Sequence, residues 1–250
     1  MEKWERKLVD VFGSAVVNKG LSLENEIKGI PRYVSEFILG VYGVNGITHE
    51  SVKEANHFIS SHKYSGREKE LLKSRLVSEF TVKVIDKFKA EIDTKKDEIK
   101  GSMGTIQLAN MVVNPTIVRD HERLLIDGIW GLGELKYYAP DSQYNGQQSN
   151  REGIIELQKF KPLQLSNISL EDFKAGRSQI DTESWLNALI STVGLNYVNY
   201  NLRKKLIILS RLIPVVEDTV FMMEFGKPGT GKTYCFENIS AYSRVISGSA

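Results

Sequence analysis

The stretch Thr81–Asp93, TVKVIDKFKAEID, is where the chain changes period. Val82, Val84, Phe88, Ala90 and Ile92 occupy alternate positions, and Lys83, Lys87 and Lys89 take the positions between them. A repeat of two turns one set of side chains to a core and the other to solvent, so this stretch predicts a half-buried β-strand. Asp86 interrupts the apolar set. The polar run DTKKDE predicts a turn after it. TIQLANMVV (105–113), RLLIDGIWGLGELKYYA (123–139) and GIIELQKFKPLQL (153–165) then read as further strands. Strands this closely spaced, with no long helix between them, predict a small antiparallel barrel or sandwich over residues 78–165. PDSQYNGQQSNRE (140–152) is expected to be a long hairpin loop. Gly131-Leu-Gly133 lies inside a strand pattern and reads as a bulge or bend, not as a second nucleotide site.

Helical periodicity holds on both sides of this module. In residues 1–77, Trp4, Leu8, Val11, Phe12 and Ala15 recur at three and four, and Gly20 is expected to close that segment. Pro31 opens a second helix with Val34, Phe37, Ile38 and Val41 on one face. A third after Thr48 presents Val52, Ala55, Phe58 and Ile59. Ser65-Gly-Arg-Glu68 is a capping box leading to Leu71, Leu72 and Leu76. These predict a helical bundle. In residues 166–212, a helical linker is expected: Ser169 to Asp172 resembles a capping box, and Trp185, Leu186, Leu189, Ile190 and Val193 form one face before Gly194. NLRKKLIILSRLIP reads as a helix stopped by Pro214.

Composition narrows the function classes. The 250 residues carry a formal net charge of +2, so no bulk field demands an anionic partner, although a local basic groove remains open. No apolar run approaches the ~20 residues of a membrane span, so no membrane partner is expected, and the charged N-terminus does not read as a signal peptide. A single cysteine, Cys235, excludes an intrachain disulfide and points to a reducing cytoplasm. His49, His57, His62 and His121 lack metal-ligand spacing.

The chemistry-bearing motif is Gly226-Lys227-Pro228-Gly229-Thr230-Gly231-Lys232-Thr233, a complete G-x-x-x-x-G-K-[ST] phosphate loop. Gly226, Gly229 and Gly231 let successive backbone N–H groups approach phosphate oxygens, and a helix beginning near Gly231 adds its positive end. Lys232 is the candidate catalytic residue, reaching the β- and γ-phosphates of ATP. Thr233 is the candidate Mg²⁺ ligand, and Tyr234 adjoins the loop. The preceding TVFMMEF (219–225) reads as a central parallel strand covered on both faces. Residues 213–250 thus predict the start of an α/β ATPase domain, cut off after its first βαβ. The second acidic metal motif and an arginine finger are missing, and the chain alone is expected to be inactive.

FTVKVIDKFKAEID, LLIDGIWGLGELKY, LEDFKAGRSQIDTESWLNALISTVGL and LSRLIPVVEDTVFMMEFGKPGTGKTY together resemble the BrxL family, the Lon-like AAA+ proteins of BREX bacteriophage-resistance systems. The resemblance implies an α+β multidomain protein. It would have an N-terminal helical bundle, an OB-like barrel that contacts DNA, a helical linker and a P-loop motor. It also implies cytoplasmic location, a homo-oligomer that is a hexameric ring in the full-length protein, and action with other BREX components. DNA, expected to be double-stranded, would meet Lys83, Lys87, Lys89 and Lys136, although a solvated strand face explains the same lysines. Arg203, Lys204, Lys205 and Arg211 could touch DNA or a neighbouring subunit's nucleotide, or form the wet side of a helix. The competing reading is the front end of an ATP-dependent Lon-like protease that grips protein substrates.

Overall fold

The computed structural model describes residues 2–13, 16, 30–42, 48–94, 98–140, 143–144, 147–148, 153–164, 169–227 and 229–239. They form two compact units, one of residues 54–164 and the other of residues 1–53 with 165–250.

The first unit is built on a closed barrel in the order β1-β2-β3-β7-β4. Its strands are β1 (Thr81–Asp93), β2 (Glu98–Met103), β3 (Leu108–Val113), β4 (Ile129–Tyr138) and β7 (Ile154–Pro162). The length of β1 allows closure: Thr81–Phe88 pairs with β4, and Phe88–Asp93 pairs with β2, so one strand serves two neighbours. The barrel is not wholly antiparallel, because β3 and β7 run parallel through Val112–Glu156 and Val113–Leu157. A crossover is needed between parallel neighbours, and the helix α5 (Pro115–Asp120), a 3₁₀ turn (Glu122–Leu125) and β4 supply it. Residues 123–127 are therefore not strand. This order, with a helix between the third and fourth barrel strands, is that of an OB-type barrel. Two short strands, β5 (Gln143–Tyr144) and β6 (Gln147–Gln148), pair within the 140–152 connection.

Alternation in β1 is realised with two departures. Val82, Val84, Phe88 and Ala90 point inward and are almost wholly buried, whereas Ile92 near the strand end is 59% exposed. Asp86, inward and fully buried, is no defect. Its carboxylate accepts hydrogen bonds from the N–H groups of Lys87 (2.6 Å), Thr105 (2.9 Å) and Ile106 (3.0 Å), pinning the β2–β3 turn. A buried carboxylate persists only when satisfied in this way. The strand β2 had no signal in sequence, since EIKGSM holds only two apolar side chains besides its glycine. Gly131 and Gly133 lie on the inner face of β4. A Cβ at Gly133 would come 2.3 Å from the Phe88 ring, so the glycine makes room for that ring; the register shift falls one residue later, at Glu134/Leu135.

Helices cover this barrel core. Ser65 and Glu68 form the expected capping box, with the Glu68 carboxylate accepting from Ser65 N at 2.8 Å and Oγ at 2.7 Å. The following helix α4 (Lys69–Glu79) buries Leu72 and Leu76 in one cluster with Val84, Phe88, Leu135 and Leu157, while Leu71 is 53% exposed. The helix before it, α3 (His49–His62), buries Val52, Ala55 and Ile59.

The second unit is helical. The first helix, α1 (Lys3–Phe12), ends at Gly13, whose φ of 55° breaks it well before Gly20, which lies outside the described residues, as does Ala15. Phe12 meets Phe173 of α6 (Leu170–Ser178) at 5.8 Å and Trp185 of α7 (Thr182–Thr192) at 6.0 Å between ring centroids. Such tilted aromatic contacts suit a small helical core. Pro31 precedes α2 (Arg32–Tyr42), which buries Val34, Ile38 and Leu39, with Val41 half exposed. Asp181 caps α7, and its carboxyl is held below the ordinary range by hydrogen bonds with Ser184. Asn201 caps α8 (Leu202–Ser210), which stops four residues before Pro214; that proline instead opens a short α9 (Ile213–Val216). TVFMMEF forms no strand. Thr219 sits in a turn with φ of 62°, and the residues after it carry no regular structure and lie open, with Phe221 96%, Met223 86% and Phe225 88% exposed. A parallel strand requires neighbours to accept its hydrogen bonds, and none of the described strands pairs with this segment.

Candidate nucleotide-binding loop and barrel face

The phosphate loop leads into α10 (Lys232–Ile239), as the sequence requires. Gly229 and Gly231 have φ of 79° and 72°, a region favouring glycine, and a Cβ on either would meet nothing within 4 Å. Both positions are open on their Cβ side. Lys232 Nζ folds back onto the loop, donating to Gly226 O (3.0 Å), Lys227 O (2.9 Å) and Thr230 Oγ1 (3.0 Å). Thr230 Oγ1 also donates to Lys227 O at 3.1 Å. The first-turn N–H groups of α10 have no helical acceptor, by the geometry of any helix start. Cationic ammonium, orphan donors and three glycines in the loop fit a polyphosphate, and the Thr233 hydroxyl, exposed on that first turn, fits a metal ligand. Tyr234 is 41% exposed beside them. Pro228 lies outside the described residues.

One residue later Cys235 is 4% exposed. Its thiol is pushed up from the ordinary 9.0, first by burial, with Arg211 pulling it down and Glu224 pushing it up. Of the cationic cluster on α8, Lys205 donates to Asn187 Oδ1 and Arg211 is ion-paired with Glu224. Arg203 and Lys204 are exposed. Arg203 borders an open apolar patch with Leu202, Leu206 and Ile207. The Arg211–Glu224 pair was not legible in sequence, because Glu224 looked like one polar residue in an apolar strand.

On the barrel, Lys83, Lys87 and Lys89 all project outward from β1. The register sets Lys83 opposite Glu134, Lys87 opposite Trp130, and Thr81 opposite Lys136, so Lys83, Lys87 and Lys136 share the outer β1–β4 face. Lys89 instead stands toward β2, opposite Ser102, and is paired with Glu91 at 3.2 Å. Lys136 Nζ lies 4.8 Å from the Tyr138 ring centroid. Two lysines missed in sequence join this face: Lys161 opposite Leu132, and Lys159, which bonds Glu134 at 2.9 Å. Alternation in LQKFKP was the available signal.

A phosphate loop opening a helix, in a chain that also holds an OB-type barrel, defines a P-loop protein with an appended barrel. Residues 10–137 match the family model described as BREX system Lon protease-like protein BrxL N-terminal, and residues 155–250 match that of the Lon-like protease BrxL-like ATPase domain. The chain belongs to the BrxL family. It is 27% identical over 241 residues to "Lon-like protease BrxL" of Escherichia coli O9:H4 (strain HS), covering 95% of this chain and 34% of that protein. It is 27% identical over 252 residues to "Lon-like protease BrxL" of Bacillus cereus (strain H3081.97), covering 99% and 36%. The chain thus spans about a third of the length of the curated relatives it matches. Among the described residues, no helix is long and apolar enough to cross a membrane.

Proposed function

We propose that Gly226–Thr233 binds Mg·ATP and that the barrel engages DNA, as part of a cytoplasmic, ring-forming BrxL-type ATPase acting with other BREX components against bacteriophage. The observation that carries the nucleotide reading is the position of the Lys232 ammonium, held by three oxygens of a loop in which Gly229 and Gly231 take positive φ. On this reading Lys232 exchanges its carbonyl acceptors for β- and γ-phosphate oxygens. Backbone N–H groups from Gly229 to Thr233 would orient the same oxygens, and Thr233 Oγ1 would hold the metal. Bound Mg²⁺ would supply charge neutralisation between the phosphates. Lys232→Ala is expected to weaken Mg·ATP binding on the order of 10- to 100-fold in isothermal titration, as for a lost charge-assisted contact. Equal affinity in wild type and variant would remove the loop from the account.

The DNA reading rests on charge placement. Lys83, Lys87, Lys136 and Lys161 share an outer barrel face on which Glu134 is already paired with Lys159, whereas Lys89 is paired with Glu91 along β1 and Lys100 with Asp93 across β1–β2. Phosphate contacts made by such lysines are salt-dependent. Duplex binding that weakens steeply across a salt series, and more weakly so in Lys83→Glu/Lys87→Glu, is the expected result. Absence of binding at low salt would favour the second reading, a protein-gripping front end of a Lon-like protease. That reading has the exposed apolar side chains Leu202, Leu206 and Ile207 of α8 in its favour.

A further inference from the structure

The phosphate loop fixes its own shape but not its place on the unit. Its internal bonds run from Lys232 and Thr230 to loop atoms. The segment that enters it, residues 219–227, makes no strand hydrogen bonds. A side-chain tether reaches that segment just before the loop. Arg211, which caps the C-terminus of α8, donates from Nη2 to Oε1 of Glu224, two residues ahead of Gly226. The Arg211 side chain is 21% exposed and that of Glu224 38%. Both charges act on the buried thiol of Cys235, which belongs to α10, the helix that leaves the loop. The entry to the loop and the end of α8 therefore meet at one ion pair.

We propose that Arg211 and Glu224 are positioning residues for the phosphate loop, holding its entry in register with α8. The proposal rests on the nucleotide reading of Gly226–Thr233 for its consequence, but not for its geometry. Arg211 is thereby committed to its own chain, and is not available as a finger for a neighbouring subunit's nucleotide. The sign of each charge matters only relative to its partner, so exchanging the two charges should preserve the tether, whereas a merely space-filling role would not be rescued.

Cys235 gives a local readout because it is the only cysteine in the chain. In the intact protein, Glu224→Gln and Arg211→Gln are each expected to raise the rate of Cys235 modification by Ellman's reagent about two- to fivefold, the range of a partly exposed ion pair; in Arg211→Gln the rise runs against the fall that loss of its thiol-acidifying charge alone would give. The exchange Arg211→Glu/Glu224→Arg is expected to return the rate toward wild type. Circular dichroism and the urea midpoint should stay unchanged, which separates the tether from global unfolding. Mg·ATP affinity should fall by a similar factor in each single variant and recover in the exchange. Unchanged thiol rates in both single variants, or an exchange no better than either, would overturn the proposal. Unaltered Mg·ATP affinity alongside raised thiol rates would also overturn it while leaving the nucleotide reading intact. A wild-type protein that binds no Mg·ATP, yet shows the thiol pattern and its rescue, would retain the tether and discard the nucleotide reading.

Discussion

Two stretches of this chain look alike in sequence and end differently. TVKVIDKFKAEID and TVFMMEF both read as strands, yet the first closes a barrel and the second lies open. In β1, Val84 and Phe88 are 0% and 1% exposed, because β4 and β2 take up its backbone groups on either side. In residues 219–225, Phe221 and Met223 are 96% and 86% exposed. Local β-propensity supplies neither neighbour nor cover; a strand exists where other strands satisfy its N–H and C=O groups.

The contrast can be broken most severely in the barrel. Phe88→Ala empties the centre of the core and should cost about 3–5 kcal/mol in urea denaturation. A loss under ~1 kcal/mol would mean that the barrel is not packed around that ring. Next, Asp86→Ala leaves the N–H groups of Thr105 and Ile106 without their acceptor and should cost about 2–3 kcal/mol. It should also accelerate amide exchange at those two positions first.

A smaller, pH-dependent effect sharpens the same unit. The Glu68 carboxyl is held below its ordinary 4.5 mainly by hydrogen bonds from Ser65. Its folded pKa is thus depressed, so its contribution is fully present above 4.5 and is lost as pH falls through the folded value. The stability difference between wild type and Glu68→Ala should be constant near neutrality and disappear in acid; a difference that grew on acidification would reverse the sign of the argument. Smallest of all, Phe221→Ala and Met223→Ala should each shift stability by no more than about 0.5 kcal/mol, as for exposed positions. A cost of 2 kcal/mol or more would show that the open segment is covered in solution.

Much of this was legible from side-chain spacing. The capping box at Ser65, the helix stop at Gly194 and the buried face of β1 follow from local rules that the structure obeys. The parallel β3–β7 pair was not, because alternation states which face is buried and is silent on strand direction. The strand β2 escaped for lack of apolar residues, and its place is set by β1 on one side and β3 on the other. At the candidate site the glycine spacing announced the loop, but the Arg211–Glu224 tether joins residues thirteen apart across α9 and the irregular stretch after it, where no periodicity connects them.

Amide hydrogen–deuterium exchange of the protein with and without Mg·ATP tests the central claim most directly. The account predicts new protection confined to residues 226–235, absent in Lys232→Ala, with the barrel strands unchanged. No protection in that stretch, or equal protection in the variant, would contradict it.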